Sequence, residues 1–250
     1  MRRVLTWNAA VALVLYLAFC ALLFVFQRSL IYMPQPGAGA PSFELQSGDA
    51  RLRITARELA GADAVIYFGG NAESVDWSLP TMQAAFPNSA LYLMNYRGYG
   101  GSSGEPSEAA LFADALALFD HIHQQHANVV VIGRSLGSGV ATRLASQRPV
   151  QRLVLVTPYD SIAKLAAQRF PYVPVSLLLR DRFDSASYAP NIHAPTLILA
   201  ADHDELIPRG NTEALLARFP TGVAQFKVLP GTGHNTIGNH PAYAATLAGR

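Results

Sequence analysis

From Ala9 to Phe26 the chain runs eighteen residues without a charge, dominated by Leu, Val, Phe and Ala and showing no polar face. At about 1.5 Å per residue this stretch covers about 27 Å, and including Val4 to Asn8 it is long enough to cross a bilayer core of roughly 30 Å. A helix buried in a soluble core would carry a polar stripe. A cleaved signal peptide would carry a shorter apolar run and a small-x-small site, and Gln27-Arg28-Ser29-Leu30 offers none. Residues 1–29 therefore read as an uncleaved transmembrane anchor. Residues 30–41, rich in Pro and Gly, read as a connector.

Beyond the connector the period changes. Two apolar-polar alternating runs between Ser42 and Leu59 flank Ser47-Gly48-Asp49 and predict an antiparallel hairpin that starts a sheet at its edge. Short apolar runs follow at Ala64 to Phe68, Leu91 to Asn95, Val129 to Ile132, Arg152 to Val156, Thr196 to Ala200 and Gln225 to Leu229. Helical patterns fall between them, around Val75 to Phe86, Ser107 to Gln125, Leu136 to Gln147 and Asn211 to Arg218; the third, with Arg143, Gln147 and Arg148 on one side, reads as a surface helix. Such alternation predicts an α/β fold in one domain, residues 42–250, with right-handed crossovers, a mostly parallel central sheet and helices on both faces. Chemistry belongs beyond the carboxyl ends of the strands.

One of those junctions carries a specific signal. After the strand at Val129, Gly133-Arg134-Ser135-Leu136-Gly137 fits the G-x-S-x-G turn that lifts a nucleophilic serine between strand and helix. Glycines on either side leave room for the close approach of strand and helix, and Ser135 is the expected nucleophile. A serine hydroxyl needs a base, and the base needs an acid that fixes its tautomer, in the chain order Ser, acid, His on this type of fold. His234, in the loop after the last predicted strand, is the expected base, with His240 ranked behind it. Asp204, in a loop past the preceding strand, is the preferred acid; Asp202 and Asp160 remain alternatives, Asp160 being better placed to cap the following helix. The oxyanion is expected to meet the Leu136 N–H and one from Gly69-Gly70-Asn71-Ala72, with Asn71 as the donor chosen.

Composition removes other classes. A net charge of +2 with no basic stripe argues against a nucleic-acid partner. Cys20, the only cysteine, allows neither an intrachain disulfide nor a cysteine metal site. His121-Ile122-His123-Gln124-Gln125-His126 resembles the H-x-H-x-D-H metal motif of binuclear hydrolases, but Gln125 stands in place of the Asp and the stretch reads as a solvated helix end. No phosphate loop or dinucleotide fingerprint is present, so neither cofactor nor metal is expected. Arg97, in Tyr96-Arg97-Gly98-Tyr99-Gly100, reads as a structural hydrogen-bonding hub rather than a substrate ligand.

Taken together, Tyr67 to Ala72, Asn95 to Gly100, Ser102 to Glu108, Gly133 to Gly137, Pro158 to Ser161 and Asp204 to Pro208 resemble the α/β-hydrolase superfamily. They are most similar to its single-pass, membrane-anchored branch, which includes depalmitoylating thioesterases. The resemblance implies an α/β-hydrolase fold with a short cap and a Ser135-Asp204-His234 triad. One departure is that Gly69-Gly70-Asn71 stands where the family usually has His-Gly-Asn, which bears on the rigidity of that loop.

The function this implies is hydrolysis of an acyl ester or thioester, lipid-linked and presented at the membrane surface; a non-catalytic binding protein of the same fold is the alternative. Arg2 and Arg3 precede the anchor and only Arg28 follows closely, which by the positive-inside rule puts the amino terminus in the cytoplasm and the catalytic domain outside. About forty residues separate the strands at Val156 and Thr196, enough for one short helix and a proline-stiffened apolar rim at Phe170 to Leu179 around a rather open pocket.

Overall fold

The computed structural model describes residues 2–61 and 63–250. The side chains of residues 2–5 lie outside the described residues, and with them the Arg2-Arg3 pair on which the orientation reading rests. Helix α1 runs Arg2–Ile31, thirty residues or about 45 Å. Its apolar residues from Trp7 to Leu30 are mostly exposed, so it is not the core helix of a soluble domain.

Two edge strands follow, β1 (Ser42–Ser47) and β2 (Ala50–Arg57), paired antiparallel across the turn at Gly48, as the alternation predicts. Strands β3 (Asp63–Phe68), β4 (Ala90–Met94), β5 (Asn128–Arg134), β6 (Arg152–Val156), β7 (Thr196–Ala201) and β8 (Ala224–Leu229) run mutually parallel. The sheet order is β1-β2-β4-β3-β5-β6-β7-β8. From β3 the chain steps to β4 on one side, then returns to place β5 on the other. That reversal opens a crevice above β3 and β5, where a ligand is expected to sit in a doubly wound sheet.

The period-2 alternation of the central strands feeds two cores. Ile66, Phe68, Val131 and Leu155 face the layer of α3 (Glu108–His123), α4 (Leu136–Ala145) and α8 (Arg209–Leu216). Val65, Tyr67, Ile132 and Val154 face the layer of α2 (Leu79–Ala85) and α9 (Tyr243–Ala248).

Three expectations change. Helix α4 is not a surface helix: nine of its ten residues are buried and only Arg143 is partly open, because it follows a central strand and is covered in turn. Tyr159 packs so close that a Cβ at Gly139 would lie 2.4 Å from its hydroxyl. The cap between β6 and β7 holds three short helices rather than one: α5 (Ile162–Arg169), α6 (Val175–Leu178) and α7 (Ser185–Tyr188). The cap of α5 is Ser161, whose hydroxyl accepts from the Ala163 N–H, and not Asp160. The connector is held onto the domain: buried Tyr32 donates to Asp181, and the Gly100 N–H donates to the Gln35 carbonyl.

Candidate active site

Ser135 stands at the junction of β5 and α4 with φ +49° and ψ −117°, a left-handed conformation that costs a non-glycine residue on the order of 1–3 kcal/mol. The two neighbouring glycines make that turn possible. A Cβ at Gly133 would lie 2.3 Å from the Gly137 carbonyl oxygen, and one at Gly137 would lie 2.1 Å from the Phe68 carbonyl oxygen. The spacing in the motif is thus a steric requirement that strand, helix and the loop after β3 impose together.

His234 enters from the loop after β8 and is 3% exposed. Its Nε2 lies 2.9 Å from Ser135 Oγ, and its Nδ1 lies 2.9 Å and 3.0 Å from the two carboxylate oxygens of Asp204. The carboxylate is fixed in turn by the N–H groups of Leu206 and Ile207, both donating to Oδ1. Of the three acids left open by the sequence, only Asp204 reaches His234. Asp202 accepts from the Gly231 N–H and pairs with Arg209 and His203. Asp160 is buried against Lys164, Asn211 and the Ser161 N–H. His240 turns away and accepts from the Ala242 N–H.

The loop Gly69-Gly70-Asn71 packs directly on the elbow, so that a Cβ at Gly70 would lie 3.5 Å from that of Ser135. Among the described residues, neither the Asn71 nor the Leu136 N–H is spent on a protein acceptor. Leu136 directly follows Ser135 and Asn71 directly follows Gly70. The departure at Gly69 does not leave this loop slack. Tyr96 donates to the Gly69 carbonyl, and the Asn71 side-chain oxygen accepts from the Met33 and Ala72 N–H groups and from Tyr99. Burial pushes the Tyr99 hydroxyl up to about 12, so it stays protonated and able to donate.

One residue escaped the sequence reading. Glu73 accepts from Tyr67, Ser78 and the Gly70 N–H, and its Oε2 is paired with Arg134 Nη1 at 2.8 Å. Arg134 also reaches the His234 carbonyl, at 3.5 Å, so a single ion pair ties the loop after β3, the elbow and the histidine loop together. Burial works against the Arg134 charge, but Glu73 together with Tyr67 and Tyr243 holds the guanidinium above its ordinary value. The only signal for this was an arginine inside the motif and an acid three residues past Gly70. Glu73→Ala strands a half-buried cation and is expected to cost about 3 kcal/mol or more, a fall in Tm on the order of 10 °C by calorimetry. A Tm within a degree of wild type would show that the pair holds nothing in place.

The remaining sequence candidates take structural places. Arg97 donates to buried Asp114 and to Asp49, as the hub reading has it. The helix end is solvated as read, with His123, Gln124 and Gln125 exposed, although His121 packs on Phe43 and His123 stacks on Phe119; only His126, past the helix, is buried, between Tyr92 and the Gly61 carbonyl.

Comparison with known proteins follows the same lines. A family model described as serine aminopeptidase, S33, matches residues 62–180. An uncharacterized protein of Mycobacterium tuberculosis, Rv2307c, is 33% identical over 246 residues, covering 90% of this chain and 87% of its own. The alpha/beta hydrolase domain-containing protein aho-3 of Caenorhabditis elegans is 32% identical over 164 residues, which is 64% of this chain and 48% of that one. Among solved structures, an esterase of Pyrococcus furiosus superposes with a TM-score of 0.72 at 18% identity, covering 87% of this chain and 96% of that one.

Proposed function

The chain belongs to the α/β-hydrolase superfamily, and from that premise we propose that it is a serine hydrolase cleaving acyl esters or thioesters through an acyl-enzyme on Ser135. The observation that carries this reading is the unbroken hydrogen-bonded line from Ser135 Oγ through His234 to Asp204. In the first half-reaction Ser135 Oγ bonds to the carbonyl carbon while its proton passes to His234 Nε2. The oxyanion meets the N–H groups of Leu136 and Asn71, each worth on the order of 10² in rate. His234 then gives the proton to the leaving oxygen or sulfur as its bond to carbon breaks, releasing the alcohol or thiol. Water adds to the acyl-enzyme with His234 as base, and the carboxylic acid departs as the proton returns to Ser135. Because an activated ester makes acylation fast and leaves hydrolysis of the acyl-enzyme to limit turnover, mixing with it should give a burst of leaving group equal to the enzyme present. Linear release from time zero, with no acyl adduct trapped by acid quench at any chain length, would count against the covalent route.

The membrane setting belongs to the same reading. Helix α1 is long and apolar enough to span a bilayer, and its apolar residues face no protein along most of its length. It anchors the domain with the amino terminus in the cytoplasm and the active site outside, on the sequence asymmetry of arginines. A reporter fused after Arg250 is then expected to be active only on the non-cytoplasmic side; activity in the cytoplasm would reverse the orientation and leave the chemistry as it stands.

A further inference from the structure

The cap alone is too short to close a pocket, and α1 supplies the missing wall. A cavity of about 500 Å³ lies between the last two and a half turns of α1, which contribute Leu23, Phe24 and Leu30, and the cap, which contributes Ala166, Phe170 and Leu178. Its size suits a drug-sized or long-chain apolar ligand. Most of its lining is apolar, with Gln27, Arg169 and Glu205 as its polar members. Arg28 pairs with Asp181, and Gln27 bonds to both the Leu178 carbonyl and the Arg180 N–H.

Two features give the cavity a direction. Toward the triad it is bounded by Glu205 and Leu206, the residues directly after Asp204, and Glu205 accepts from the His234 N–H. Ile31, also on its wall, lies two residues before Met33, whose N–H donates to the side chain of Asn71. Away from the triad, the cap touches α1 again within the stretch read as membrane-spanning. Tyr16 donates to the Tyr172 carbonyl at 2.7 Å, fifteen residues or about 22 Å along the helix from Ile31. Tyr172 and Leu177 themselves are 87% and 81% exposed, a costly arrangement in water but a favourable one in lipid.

We propose that this cavity is the acyl subsite, taking one long acyl chain that slides in sideways from the bilayer between α1 and the cap and presents its carbonyl to Ser135. The proposal rests on the serine-hydrolase reading and adds to it a substrate class and a route. The anchor is then part of the substrate site as well as a tether. Chain length becomes a property set by α1, which a soluble relative without that helix would have to set otherwise.

The test uses the full-length protein in phosphatidylcholine vesicles and two p-nitrophenyl esters, acetate and palmitate. Ala166→Phe fills the cavity from the cap and Leu23→Trp fills it from the anchor. Each is expected to lower the palmitate-to-acetate ratio of kcat/KM at least about tenfold, the discrimination that one or two methylenes carry in an apolar pocket. Reading both esters on one preparation cancels any loss of folded enzyme. An S-palmitoyl peptide and a monopalmitoyl glycerol in the same vesicles separate a protein thioester from a lipid ester as the source of the chain; a cavity-dependent loss with either supports the subsite. Ratios that stay at the wild-type value in both variants overturn the subsite while leaving the hydrolase reading intact. A wild-type protein that cleaves none of these substrates, acetate included, overturns the reading beneath it.

Discussion

Ser135→Ala is expected to lower kcat for ester hydrolysis by about 10⁶, because the alanine leaves nothing for a carbonyl carbon to bond to and His234 Nε2 nothing to deprotonate. The fold should not notice. The substitution keeps an L-residue at the strained φ and removes one partly exposed oxygen, so Tm should stay within a few degrees of wild type. Loss of activity with intact Tm assigns the defect to chemistry; undiminished hydrolysis would remove Ser135 from the mechanism.

The second large effect comes from Asp204→Asn, for which kcat should fall by up to about 10⁴. The cause is readable in the hydrogen bonds. Asp204 Oδ1 is held by the Leu206 and Ile207 N–H groups, so an asparagine would keep its carbonyl oxygen there and turn its NH₂ toward His234 Nδ1. Facing a donor, Nδ1 must accept, and the ring proton moves to Nε2, where it blocks transfer from the Ser135 hydroxyl. The same change at Asp160 or Asp202 should leave kcat close to wild type, since neither carboxylate touches the imidazole. Steady-state kinetics on the three variants decides among the acids. A ranking with Asp202 or Asp160 at the top would mean that the acid serving His234 in turnover is not the one beside it at rest.

How much of this was legible in the sequence follows the range of the interactions. The strands were readable because each is a short apolar run with a fixed period, and the elbow because its glycines answer a local steric demand within five residues. The order of acid and base along the chain narrowed the triad, yet the choice among three aspartates needed the distances, since all three follow strands. What sequence could not give was set by contacts across long separations. Helix α4 looks amphipathic by itself and becomes buried only because Tyr159, α3 and α7 close over it. Glu73 is an ordinary loop acid until β5 brings Arg134, sixty-one residues away, against it. The apolar run of residues 9–26 announced a long apolar helix, but nothing in its pattern announced that the end of that helix forms a cavity with the cap.

The central claim is that Ser135 is a nucleophile raised by its own histidine, and the most direct measurement is covalent capture. The full-length protein in vesicles is treated with a fluorophosphonate, digested and analysed by mass spectrometry. A single phosphonyl adduct is expected on Ser135, stoichiometric with enzyme, slowed by Asp204→Asn and missing in Ser135→Ala. A wild-type protein that takes up no adduct, or takes it up at another serine with Ser135 left unmodified, would contradict the claim.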